Sequence, residues 1–284
     1  MTFWKSLLAG MLVVGVTSPA AVPAFTTIDA PGAIATQALG INNRGDIAGF
    51  YVLPGAPPQP HGFIRDRRGF TAIDVPGASE TQAHGINDRG DVVGFYILPA
   101  QPAQPRGFLL DRGAFTSIDV PGAPMTQAHG INNRGEIVGF YGGPGGTHGF
   151  LLDRGVFTSI DVPGATSTQA LGINDRGQIV GLYSSGAPAQ THGFLLDDGV
   201  FTSIDVPGAN QTQARGINNR GQIIGRYLTI PVTHGFLLDG GVFTSIDVPG
   251  STGTSAFGAN ERGQIVGLYL LPGAPPQQHG FLLE

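Results

Sequence analysis

Residues 157–200 read FTSIDVPGATSTQALGINDRGQIVGLYSSGAPAQTHGFLLDDGV, and this stretch decides the fold. It holds four apolar runs, Phe157–Val162, Gln169–Asn174, Gln178–Tyr183 and His192–Asp197, each about six residues long and bounded by Gly, Pro, Asn or Asp. Runs of that length suit strands and are too short for helices. Asn174-Asp175-Arg176-Gly177 is a tight hairpin signal, because Asn and Asp tolerate left-handed backbone angles and Gly supplies a positive φ. Val162-Pro163-Gly164 ends pairing, since proline has no N–H to donate.

The same unit recurs with Phe-Thr-x-Ile-Asp starting at Phe25, Phe70, Phe115, Phe157, Phe201 and Phe243, a period of 42–45 residues. Each copy runs through Pro-Gly to Ala-x-Gly-Ile-Asn, then Arg-Gly, an apolar run ending in Tyr, and His-Gly-Phe-Leu-Leu-Asp. Four short strands per unit of roughly 40–45 residues mark a propeller blade. Ala-x-Gly-Ile-Asn is read as the innermost strand and Phe-Thr-x-Ile-Asp as the outermost. The chain then begins with an outer strand at Phe25 and ends with a third strand at Phe281. The expected fold is therefore all-β, a six-bladed β-propeller of four-stranded blades over residues 25–284, whose last blade is closed by the N-terminal strand. Closure of that kind removes exposed sheet edges. A β-solenoid is the alternative, though it would want capping repeats.

Composition narrows the function classes. Hydrophobic content of 41% with 12% charged residues argues against disorder, and 46 glycines without a Gly-X-Y period exclude collagen. The formal charge is −5, and Lys5 is the sole lysine. An acidic chain without a basic stripe is a poor partner for phosphate backbones, so no nucleic acid is expected. Without cysteine, and without lysine beyond residue 5, thiol nucleophiles, disulfides, Schiff bases and a P-loop lysine are all excluded. Residues 1–24 read as a signal peptide: Lys5, an apolar run over Leu7–Val16, then small residues before cleavage at Ala20 or Ala24. That apolar run is too short to span a bilayer of roughly 30 Å. The expected location is secreted, extracellular or periplasmic, with no transmembrane anchor in the mature chain.

The pattern Gly-Ile-Asn-x-x-Gly-x-Ile-Val-Gly followed by His-Gly-Phe-Leu resembles the bacterial HAF-type extracellular repeats, named for a His-Ala-Phe triplet that here is His-Gly-Phe. The resemblance covers essentially all of residues 25–284, with Gly for Ala in every copy and Arg106 for His in the second. It implies a secreted bacterial protein and supplies no catalytic residues.

Polar residues kept in every copy read as structural, because an active site is built once. That covers the hairpin arginines, such as Arg44 and Arg176, and the aspartates after the outer-strand Ile, such as Asp74 and Asp161. The same reading extends to His61, His148, His192, His234 and His279, present in five copies, which lie too far apart around a ring to share a metal ion within about 2 Å. Arg44-Gly45-Asp46 is a hairpin rather than an adhesion signal, and Gly142–Gly146 lacks the helix of a phosphate loop.

More informative are the places where the repeat breaks. The residue before Gly-Ile on the inner strand is Leu39, His84, His129, Leu171, Arg215 and Phe257 in order. The connections into this strand and between the second and third strands also vary, and both emerge on one face. Variable loops on a rigid ring make a binding surface. His84, His129 and Arg215, with Glu80 in the variable connection, are the candidate ligand-binding residues, suited to a carboxylate or polar sugar. Arg226, replacing Phe or Leu, marks the same copy as Arg215. The competing reading makes all of them filler between repeats. No cofactor, metal or catalytic residue is expected. The favoured function is a non-catalytic monomer that binds an extracellular ligand or protein. The alternatives are a hydrolase or lyase with His84 or His129 as general base, and a purely structural protein.

Overall fold

The computed structural model describes residues 24–55, 57–99, 103–187, 189–273 and 277–284, so the expected signal peptide lies outside the described residues up to Ala24. The described residues form twenty-four β-strands and no helix. The fold is a propeller ring of four-stranded blades. One sheet shows how sequence becomes blade: Ser167–Ile173, Ile179–Ser185, Gln190–Asp197 and Val200–Ile204 pair antiparallel in that order. The inner hairpin turns where expected. Gly177 N donates to Asn174 O, and Gly177 holds φ at +81°, in the left-handed region that favours glycine.

Four such sheets stand apart, where six separate ones were expected from the repeats. The other eight strands form a single sheet. In it Gly253–Ala259, Ile265–Leu271 and Gln277–Leu283 continue into Ala35–Ile41 and the three strands after it. The join is one parallel residue pair, Ala35 with Gln278. Phe25–Ile28 lies antiparallel along Gly280–Leu283 over four residue pairs.

The core sits between neighbouring sheets. In a representative cluster, Val138 and Ile160 of one sheet pack with Ala170, Ile173, Ile179 and Phe194 of the next, all buried. A sheet with both faces apolar is stable only when both are covered, and the ring supplies that cover. The third-strand phenylalanines Phe63, Phe108, Phe150, Phe194, Phe236 and Phe281 are the largest fully buried side chains. Each occupies the equivalent place in its repeat.

The six inner strands close on one another at the axis. A Cβ on Gly85 would lie 2.7 Å from His129 O, and one on Gly258 would lie 2.9 Å from Leu39 O. No side chain fits there, which is why this Gly recurs. Two residues further along the chain, the asparagines of Gly-Ile-Asn, and of Gly258-Ala259-Asn260 in the sixth copy, form a closed belt. Asn42 Nδ2 donates to Asn87 O, and the pattern passes through Asn132, Asn174 and Asn218 to Asn260, which donates back to Asn42 O, all at 3.0–3.2 Å.

Candidate ligand site in the central channel

The variable inner-strand residue has a structural peculiarity. In every repeat the pairing of the first two strands slips by one at this position, between Ala38 and Gly40, Ala83 and Gly85, and so on. Leu39, His84, His129, Leu171, Arg215 and Phe257 are thus the extra residues of six β-bulges. A bulge leaves its residue unpaired and re-aims its side chain. Here all six line one central cavity of about 320 Å³. The sequence pointed to this position through its variability, and the bulge explains how it escapes the alternation of the strand.

His84, His129 and Arg215 therefore share a cavity. The two imidazole centroids are 4.2 Å apart at 65°, with His84 against Phe95 and His129 stacked on Phe140. The Arg215 guanidinium lies over the Phe257 ring at 5.3 Å, a cation–π arrangement. Burial first, and the Arg215 charge second, lower the His84 pKa to about 3. Burial, His84 and Arg215 in that order hold His129 well below the ordinary imidazole value. Arg215 falls to about 9 through burial and the nearby Arg226 charge. At neutral pH the cavity thus holds two neutral imidazoles and one guanidinium cation.

Glu80 stands apart from this group. It starts the strand Glu80–Ile86, and its Oε1 accepts from Gln82 Nε2 at 2.6 Å. Gln82 lines the cavity; Glu80 does not. The described cavity wall carries no carboxylate at all. Nor do the described residues include a cluster of three or more His, Asp or Glu able to hold a metal ion.

Arg226 enters through a residue the sequence reading passed over. Gln213 Oε1 accepts from Arg215 Nη2 at 2.6 Å and from Arg226 Nε at 2.9 Å. Gln213 also lines a second hollow of about 170 Å³ that Arg226 and Tyr227 share. Gln37 and Gln82 line the main cavity as well. Glutamine stands at this place in five of six copies, with Ser255 in the sixth. That regularity hides it, because a side chain repeated in nearly every copy reads as structural.

The repeated polar residues meet each other. His61, His148, His192, His234 and His279 each set Nδ1 within 2.8–3.1 Å of an aspartate, Asp74, Asp161, Asp205, Asp247 and Asp29 respectively. Where Arg106 replaces the histidine, it pairs with Asp119 at 3.5 Å. In three copies the hairpin arginine turns to an acid two residues on, Arg44 to Asp46, Arg89 to Asp91 and Arg134 to Glu136, whereas Arg176 donates to the neutral Gln178. Each of these histidines also lies against a tyrosine where one is present, as His192 does on Tyr183.

No family model matches the chain, and no curated protein does. Solved structures share the fold at low identity. A Pyrococcus horikoshii acylaminoacyl peptidase aligns at 12% identity and TM-score 0.52, over 82% of this chain and 41% of its own. TolB from Acinetobacter baumannii aligns at 13% and 0.56, over 84% and 63%. A gluconolactonase-like protein aligns at 13% and 0.53, over 93% of each chain. The chain spans less than two thirds of the first two, and the likeness is one of β-propeller fold alone. No helix among the described residues is long and apolar enough to cross a membrane.

Proposed function

We propose that this chain is a secreted, non-catalytic six-bladed β-propeller of the HAF-repeat kind, binding a small ligand at the variable end of its channel. The observation that carries the reading is the convergence of His84, His129 and Arg215, all at the one inner-strand position that differs between repeats, on a cavity of about 320 Å³. That position keeps the bulge in every copy and changes only the side chain, which is how a rigid scaffold carries a specific site.

The count of six is supported by the closed asparagine belt, which has six members. On this reading the eight-stranded sheet is two blades joined by the single bridge at Ala35, and Phe25–Ile28 is the fourth strand of the last one. The absence of a carboxylate from the described cavity wall favours binding over acid–base catalysis. Export rests on the Lys5 and Leu7–Val16 pattern, and the HAF-type assignment on the His-Gly-Phe repeat.

A ligand-observed NMR screen of a small-metabolite library on the mature protein tests the site. Compounds that bind the wild type should lose binding in a His84→Ala/His129→Ala/Arg215→Leu variant whose circular dichroism is unchanged. Equal binding to that variant would place the ligand elsewhere and discard the site.

A further inference from the structure

The buried cations of the fifth repeat have no counter-charge. Neither Arg215 nor Arg226 makes an ion pair among the described residues, whereas the hairpin arginines Arg44, Arg89 and Arg134 each face an acid. Instead the two guanidiniums share one neutral acceptor, Gln213 Oε1. Arg215 Nε is buried and has no hydrogen-bond partner, and so is His84 Nε2 across the same cavity. A buried polar group normally finds a partner, and a buried charge finds an opposite one. Two orphaned polar nitrogens, one on a cation, thus belong to residues that line a cavity whose described wall lacks an acid.

The rest of the wall sets the character of what fits. Leu39, Leu171 and Phe257 are apolar, and Phe257 holds the guanidinium plane from one side. The imidazoles remain neutral, so they add hydrogen-bonding nitrogens without adding charge. One guanidinium fork at the cavity wall, beside flat and aliphatic surfaces, matches a single carboxylate better than a phosphate dianion.

We infer that the channel site takes a small organic monocarboxylate, its carboxylate on Arg215 and its apolar body against Leu39, Leu171 and Phe257. The inference rests on the proposed channel-binding function and names the ligand class for it. Gln213 and Arg226 act behind Arg215: Gln213 orients the guanidinium, and Arg226 adds positive potential without touching the ligand.

The test uses benzoate and its neutral isostere benzamide as probes, with acetate and hexanoate to vary the body. Titrations of the mature protein are followed by calorimetry and by the imidazole Cε1–H resonances, with His84 assigned from His84→Leu. The expected result is a shift of the His84 resonance by benzoate, with benzoate binding about tenfold or more tighter than benzamide. Arg215→Gln should erase that preference. Arg215→Lys, which keeps the charge but not the fork, should retain part of it and guards against a folding defect in the first variant. If benzamide binds as tightly as benzoate, or Arg215→Gln leaves benzoate affinity unchanged, the carboxylate class is overturned; the site itself survives that outcome where both probes shift His84. If none of the four probes shifts His84, the monocarboxylate inference is overturned, and the library screen decides separately whether the channel binds any ligand.

Discussion

The two ends of the central channel are built from the same six inner strands, and they obey opposite rules. At one end stands the asparagine belt. Asn174 Oδ1 accepts from Arg176 N and Gln178 N of its own hairpin, while its Nδ2 donates to Asn218 O of the next repeat. Beside the belt runs a second ring, in which backbone N–H groups donate to the side chain of the following repeat at 2.6–2.8 Å: Asn43 to Asp88, Asp88 to Asn133, Asn133 to Asp175, Asp175 to Asn219, Asn219 to Glu261 and Glu261 to Asn43. Amides and acids alternate around it. Burial alone would raise the Asp175 pKa, yet the hydrogen bonds from Asn133 and Asn219 outweigh it and leave the carboxyl below its ordinary value. At the other end the six bulge residues differ from repeat to repeat, and His84 Nε2 and Arg215 Nε lack partners. One end satisfies every repeat in the same way and holds the ring together. The other leaves polar groups unmet on residues of the cavity wall, an arrangement that costs stability.

The comparison breaks first under Asn174→Ala. The substitution strips the acceptor from two backbone N–H groups and the donor from Asn218 O, so a loss of about 3 kcal/mol is expected in equilibrium urea unfolding. A change under about 0.5 kcal/mol would show that the belt is decorative. Next comes Gly85→Ala, whose Cβ would meet His129 O at 2.7 Å. Prising two inner strands apart should cost about 2 kcal/mol by the same assay, in the range of core overpacking.

Opposite in sign is Arg215→Met. Replacing an unpaired buried cation by an apolar chain of similar length should leave the ligand-free protein as stable or more stable, by up to about 2 kcal/mol. A clear loss of stability would mean that Arg215 is structural after all. The smallest effect at neutral pH belongs to His84→Phe, a residue the equivalent position already carries as Phe257. Because the folded His84 pKa is depressed to about 3 from an ordinary 6.5, the unfolded chain binds a proton that the folded one refuses. The associated stability is complete above pH 6.5 and is lost as pH falls toward 3, at up to about 1.4 kcal/mol per pH unit for each proton. His84→Phe should flatten that part of the stability–pH curve and change little at pH 7. An unchanged slope would show that His84 titrates normally.

Much of this was legible along the chain. The hairpin turn at Asn174–Gly177, the short apolar strand that follows it and the apolar Phe of His-Gly-Phe are local signals that recur, with small changes, in all six copies. The singular position on the inner strand was visible as well, because His84, His129 and Arg215 interrupt a regular pattern. Glu80 was drawn in by its neighbourhood in sequence, but its place at the start of a strand lets it reach Gln82 instead of the cavity. Gln213 was missed for the converse reason: it belongs to a regular column and becomes special only beside Arg215 and Arg226.

By itself the sequence determined the repeat, the strands, their turns and the positions where one copy departs from the next, because each depends on contacts within about forty-five residues. Which polar groups find partners depends on how the repeats pack together. The His–Asp pairs join the third strand to the outer strand, the asparagine belt joins each repeat to its neighbour, and the cavity gathers residues from all six. Whether a buried nitrogen is satisfied is a property of what packs across from it. For His84 Nε2 and Arg215 Nε that partner is missing among the described residues.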